Sequence, residues 1–116
     1  MQLDVTPLGE RLVKITLVGR LDTQGVDRIE TKFISAIVPA RNNAIVDLSG
    51  VQFLSSLGIR MLVSTGRSLQ VREAKLALYG APDQVAQVLE AVALQKIIPV
   101  CATEAEALAA VVGTTA

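Results

Sequence analysis

The chain has 116 residues, 11 Lys plus Arg against 11 Asp plus Glu, and no histidine. Such a length suits one domain over residues 1–116 that buries roughly two thirds of its unfolded surface. Balanced charge with no run of one sign predicts neither a nucleic acid nor an anionic membrane as partner, and the missing histidine excludes Ser-His-Asp triads, imidazole proton transfer and most zinc or iron sites. The expectation is a non-enzymatic protein with no metal and no cofactor.

The opening segment MQLDVTPLGERLVK lacks the basic stretch and apolar core of a leader, and no segment reaches the ~18 apolar residues of a membrane span, so the protein is expected to be soluble and cytoplasmic. The single cysteine, Cys101, lies in an apolar stretch and cannot close an intramolecular disulfide, which fits a reducing compartment and a buried, inert thiol.

Residues 2–6 and 11–18 alternate or run apolar around Pro7-Leu8-Gly9-Glu10, the pattern of a two-stranded hairpin. Val26, Ile29, Phe33, Ala36 and Ile37 recur at helical spacing and predict a helix over 23–38, capped by Asp22 or Thr23 and ended by Pro39. Ala44 to Leu48 reads as a short strand buried on both faces, at the sheet centre. A second helix is predicted over 57–71 with Ile59, Leu62, Val63, Gly66 and Leu69 on its core face. A strand over 74–79, a Gly80-Ala81-Pro82 turn with Pro82 at the first helical position, and a third helix facing the core through Val85, Val88, Leu89 and Val92 follow. Ile97 to Val100 suggests an edge strand, where Pro99 is tolerated. Thr103-Glu104-Ala105-Glu106 forms a capping box ahead of a last helix carrying Leu108, Val111 and Val112, before a frayed tail over 113–116. The alternation implies an α/β domain with a mixed, mostly parallel sheet, an N-terminal β-hairpin and about four helices.

The most informative segment is DLSGVQFLSSLGIRMLV, residues 47–63. It reads as a strand ending at Gly50, a Val51-Gln52-Phe53-Leu54 link, and a helix opening at Ser55-Ser56. Free backbone N–H groups and the macrodipole at a helix start favour an anion by ~0.3–1 kcal/mol, so Ser56 is placed to carry a phosphate. The plainer role for a serine there is an N-cap. Along the same helix Leu57, Met61, Ser64 or Thr65, and Ser68 continue the direction of Ser56, a stripe on which a partner would lie if exposed; the alternative is a half-buried Met61 with hydroxyls that only solvate the helix.

Other motifs carry little. Gly50, Gly58 and Gly66 match neither GxxxxGK[ST] nor GxGxxG, and FLSSLG is not the GxSxG elbow. Asp47 ends a central strand as a receiver-domain phosphoacceptor would, but Pro7-Leu8-Gly9 stands where the accompanying acidic pair is required, which leaves Asp47 structural. Glu104 and Glu106 are most simply cap and dipole partners.

The strand ending in Asp47-Leu48-Ser49, then Val51-x-Phe53-Leu54, then Ser56-x-Gly58-Ile59 and an apolar helix, resembles the STAS family, found in anti-sigma factor antagonists and at the cytoplasmic ends of sulfate transporters. Gly19-Arg20-Leu21-Asp22 is similar to the family's Gly-x-Leu-Asp after its second strand, and the carboxy-terminal hydrophobic pair followed by a helix also fits. The resemblance covers nearly the whole chain and implies the same α/β layout. It implies a bacterial anti-sigma factor antagonist that binds an anti-sigma factor with serine kinase activity, is switched off by phosphorylation of Ser56 and reset by a serine phosphatase. The implied partner-binding residues are Ser55, Ser56, Leu57, Gly58 and Met61, with Asp22 and Thr23 at the rim; Gly58 would let a kinase backbone or nucleotide phosphate approach. Where the family usually has Asp before the phosphoacceptor, this chain has Ser55. That departure favours an alternative, an unswitched scaffold subunit of a stress-signalling assembly or a lipid-transport ATPase complex, with homodimer formation open. A third reading is a small ligand at the strand ends near Asp22 and Ser56.

Overall fold

In the computed structural model, which describes residues 1–39 and 42–112, five strands form one sheet in the order β1 (Gln2–Gly9), β2 (Leu12–Leu21), β3 (Asn43–Leu54), β4 (Leu76–Tyr79) and β5 (Val100–Cys101). The β1–β2 pair is antiparallel and β2 through β5 run parallel. The helices are α1 (Thr23–Ile37), α2 (Ser56–Val71), α3 (Asp83–Ala91) and α4 (Glu104–Val112), with a short 3-10 turn over Leu94–Lys96. The layout is the α/β sandwich that the alternation implies.

Period-two burial on the strands assigns the faces. Leu3, Val13, Ile15, Leu17, Ala44, Val46, Leu48, Leu76 and Leu78 point to one face, where α1, α2 and α3 close the main core through Phe33, Ile37, Met61, Leu62, Leu69, Val85 and Leu89. Ile45, Ala77 and Tyr79 point to the other, which α4 covers with Ala107 and Val111. Ile45 and Val46 are therefore both fully buried, as a strand covered on both sides requires.

Several boundaries differ from the sequence reading. The hairpin turn tightens to Glu10-Arg11, with Arg11 at φ 56°, and Pro7 stays inside β1 because an edge strand tolerates a residue without an N–H. Strand β3 does not end at Gly50: it continues through the expected link to Leu54, beside Gly19, Arg20 and Leu21 of β2. Gly50 marks a close approach instead of a stop, since a Cβ there would sit 2.9 Å from Val18 Cγ2. Strand β4 starts at Leu76, Pro82 is the N-cap of α3 and not its first residue, and the edge strand is Val100–Cys101. The capping box forms as read: the Glu106 carboxylate accepts from the Ala102 and Thr103 amides, and Thr103 Oγ1 accepts from the Glu106 amide. Val112 is exposed, and the expected tail over 113–116 lies outside the described residues.

Candidate functional site

Because β2 and β3 are parallel neighbours of similar reach, their ends deliver α1 and α2 side by side at the carboxy-terminal end of the sheet. Asp22 caps α1, its Oδ1 accepting from the Gly25 amide at 2.9 Å. Ser55 caps α2, its Oγ accepting from the Gly58 amide at 3.2 Å. Ser55 also binds across to β2: its amide and hydroxyl both donate to the Leu21 carbonyl, at 2.9 and 2.6 Å. The N-cap role therefore falls to Ser55, and its hydroxyl is engaged as both donor and acceptor.

Ser56 is left as the first residue of a 16-residue helix, exposed and without a hydrogen-bond partner among the described residues. No acidic residue occupies that first turn, so nothing local competes with an added negative charge. Leu57 beside it is 38% exposed, and Thr23 at the start of α1 is exposed as well. These three positions, with Asp22, make up the rim at the paired starts of α1 and α2.

The stripe drawn through Met61 is a correction. Met61 is 1% exposed and belongs to the main core, so it is not available to a partner, and Thr65 is equally buried, its hydroxyl without a partner among the described residues. Helix α2 is rotated so that Met61, Leu62, Thr65 and Leu69 face inward, while Arg60, Ser64 and Arg67 face solvent. Gly58 is also buried, and its reason is internal: a Cβ would meet Leu54 Cδ1 at 2.8 Å and the Leu21 carbonyl oxygen at 3.1 Å. The glycine lets the α2 start settle on β2 and presents no open approach.

Asp22 is held below the usual carboxylate range, first by the Gly25 amide and then by Arg20, whose Nε lies 3.5 Å from Asp22 Oδ2. The same guanidinium stacks 4.5 Å above the Phe53 ring. Phe53 is 40% exposed, whereas the chain's other phenylalanine, Phe33, is fully buried.

A family model for the STAS domain matches residues 5–107. The chain belongs to the STAS family. Among solved structures, this STAS domain is similar to the anti-sigma factor antagonist SpoIIAA in its unphosphorylated form, at 22% identity and a TM-score of 0.77 over 99% of this chain and 100% of that one. The Bacillus protein in its phosphorylated form matches at 22% identity and TM-score 0.66, covering 92% and 96% of the two chains. An anti-sigma factor antagonist from Mycobacterium paratuberculosis matches at 25% identity and TM-score 0.83 over 95% and 92%. A search of curated proteins finds no relative.

Sequence reasoning overlooked one residue that shapes the rim of the STAS domain: any side chain at Gly25 would fall on the Arg20 carbonyl oxygen. Phe53 was read only as part of a motif, and its exposed place beneath Arg20 depends on the pairing of β2 with β3. Asp47, by contrast, is committed locally, its Oδ1 accepting from the Ser49 amide and hydroxyl at 2.9 and 2.7 Å. No helix among the described residues is long and apolar enough to cross a membrane.

Proposed function

We propose that this STAS domain is an anti-sigma factor antagonist, working in a bacterial cytoplasm, that binds an anti-sigma factor with serine kinase activity and is switched off by phosphorylation of Ser56. The observation that carries the reading is the division of labour between two serines: Ser55 caps α2 and is fully bonded, while Ser56 presents a free hydroxyl at the same helix start. A phosphate on Ser56 adds about −1.5 to −2 charges and three acceptor oxygens. The helix start accommodates that charge, and the exposed Arg60, one turn along, offers a counter-charge at the favourable i, i+4 spacing. A partner seated on Asp22, Thr23, Ser56 and Leu57 would instead meet a crowded, poorly solvated dianion, so the complex dissociates while the fold persists. A serine phosphatase restores the binding form. Support comes from family membership and from SpoIIAA, an antagonist solved in phosphorylated and unphosphorylated forms.

The test is direct: purified protein is mixed with each serine-kinase anti-sigma factor of its own genome, and association and phosphate transfer are followed by native mass spectrometry. Binding that is lost on transfer to Ser56 supports the reading, and absence of both with every kinase sinks it. The second reading, an unswitched scaffold subunit of a stress-signalling assembly or of a lipid-transport ATPase complex, is favoured by Ser55 in the place of the family's usual Asp; light scattering that shows a stable oligomer, or co-purification with an ATPase, would support it.

A further inference from the structure

At the Asp22 end of the rim lies a charged feature that the phosphate switch does not use. A cleft of about 290 Å³ opens between the end of β2 and the start of α1, lined by Met1 and Gly19 on one side and by Arg20, Asp22, Gly25 and Arg28 on the other. Asp22 is the only acidic residue lining it among the described residues, and both of its oxygens are engaged, Oδ1 by the Gly25 amide and Oδ2 by Arg20. Arg28 is exposed and forms no ion pair among the described residues, so the cleft keeps an uncompensated positive charge in a chain whose formal net charge is zero.

Arg20 is already ordered. Stacking on Phe53 and pairing with Asp22 fix its guanidinium on two sides, while its side chain remains 58% exposed. A group that binds there loses little further rotamer freedom from the protein, which is how a preorganised contact gains affinity. The remaining N–H donors of Arg20 and the free guanidinium of Arg28 suit a planar carboxylate, the acceptor that matches a guanidinium fork. Two exposed apolar side chains flank this region, Phe53 beneath Arg20 at 40% and Leu57 beside Ser56 at 38%.

We propose that the protein partner of this face inserts an aspartate or glutamate side chain between Arg20 and Arg28 and lays an apolar neighbour on Phe53 and Leu57. The inference rests on the reading that the Ser56 rim is the docking face, and it names the partner's chemistry at that face. The acidic contact steers association, and the two apolar side chains supply desolvated area.

The experiment measures binding kinetics of the full chain with the purified serine-kinase anti-sigma factors of its genome, comparing wild type with Arg28→Ala, Arg28→Glu and Lys32→Glu. Arg28 and Lys32 are both exposed on α1, so the two charge reversals change net charge equally, but only Arg28 lines the cleft. The expected result is at least about a tenfold loss of affinity for Arg28→Glu, mostly in association rate and reduced by salt, with a smaller loss for Arg28→Ala and none for Lys32→Glu. Equal binding by wild type and Arg28→Glu overturns the cleft contact and leaves the antagonist reading standing. Equal losses for Arg28→Glu and Lys32→Glu also overturn it, because general charge attraction then suffices. Absence of wild-type binding to every kinase overturns the antagonist reading, and the cleft contact with it.

Discussion

Leu21 offers one carbonyl oxygen to both donors of Ser55, the backbone amide at 2.9 Å and the hydroxyl at 2.6 Å. This stitches the end of β2 to the start of α2, and the Gly58 amide then closes the cap on the same hydroxyl. Ser55→Ala removes both side-chain bonds and is expected to cost about 1 kcal/mol, within the 0.5–2 range of lost N-caps. Ser55→Asp keeps an acceptor for Gly58 but points a carboxylate at the Leu21 oxygen, so its stability should fall between Ala and wild type. Urea denaturation midpoints of the three proteins give the order.

Gly25 and Gly58 predict a second ordering. At Gly25 a Cβ would collide with backbone, the Arg20 carbonyl, which cannot move without dislodging β2 from α1. At Gly58 the nearest atom is Leu54 Cδ1 at 2.8 Å, the end of a flexible side chain, although Leu21 backbone at 3.1 Å limits the relief. Gly58→Ala should therefore cost ~1–3 kcal/mol, as overpacking typically does, and Gly25→Ala more. Circular dichroism melts would show the larger drop for Gly25→Ala; the reverse order would mean that the α1 start yields more easily than the geometry allows.

These residues also mark what the sequence made legible. Asp22 as a cap, the α1 face from Val26 to Ile37 and the Thr103–Glu106 box depend on neighbours within a few positions, so local pattern was enough. The continuation of β3 to Leu54 was not readable, because Gly50 looks like a turn until Val18 on the next strand is seen to fill its space. Met61 misled for a related reason: helical spacing ties it to Ser56, but which arc of α2 is exposed is set by α1 and the sheet. Ser56 was legible as a residue at a helix start; that Ser55, not Ser56, serves as cap required the Leu21 carbonyl.

Thr65 has a fully buried Oγ1 with no hydrogen-bond partner among the described residues. An unmet buried hydroxyl costs about 1–3 kcal/mol, and valine supplies the same shape without it. Thr65→Val is expected to stabilise the domain by roughly 1 kcal/mol, a gain most substitutions do not give. A calorimetric melting temperature equal to or below wild type would show that the hydroxyl is satisfied in solution.

Besides Asp22, the far face carries a pH dependence of its own. Glu104 Oε1 accepts from Lys14 Nζ at 3.0 Å and from the Tyr79 hydroxyl at 3.1 Å, which holds its carboxyl below the usual range, the Lys14 bond first. Burial, then the negative charge of Asp47, pushes the Tyr79 phenol up, further from ionisation than an ordinary phenol. A carboxylate depressed on folding contributes stability above its unfolded value of about 4.3, and that contribution is lost as pH falls through the lower folded value. Glu104→Gln should be less stable than wild type at pH 7, and the gap should close on acidification below pH ~4. Denaturation midpoints across that interval check the sign.

Ser56→Asp introduces an acidic residue into a first turn of α2 that has none, a change expected to leave stability equal or raised by ~0.3–1 kcal/mol. Binding to the anti-sigma kinase should fall sharply in the same variant. Unfolding of Ser56→Asp would contradict the exposed placement of Ser56.

The measurement that bears most directly on the switch is intact mass with site mapping on the protein isolated from its own cells under phosphatase inhibition, in growth and under stress. The account predicts a single phosphate on Ser56 whose occupancy changes between the two conditions, and none on Ser55, whose hydroxyl is spent on Leu21 and Gly58. An unmodified Ser56 in both conditions would contradict it and turn the assignment to the unswitched scaffold.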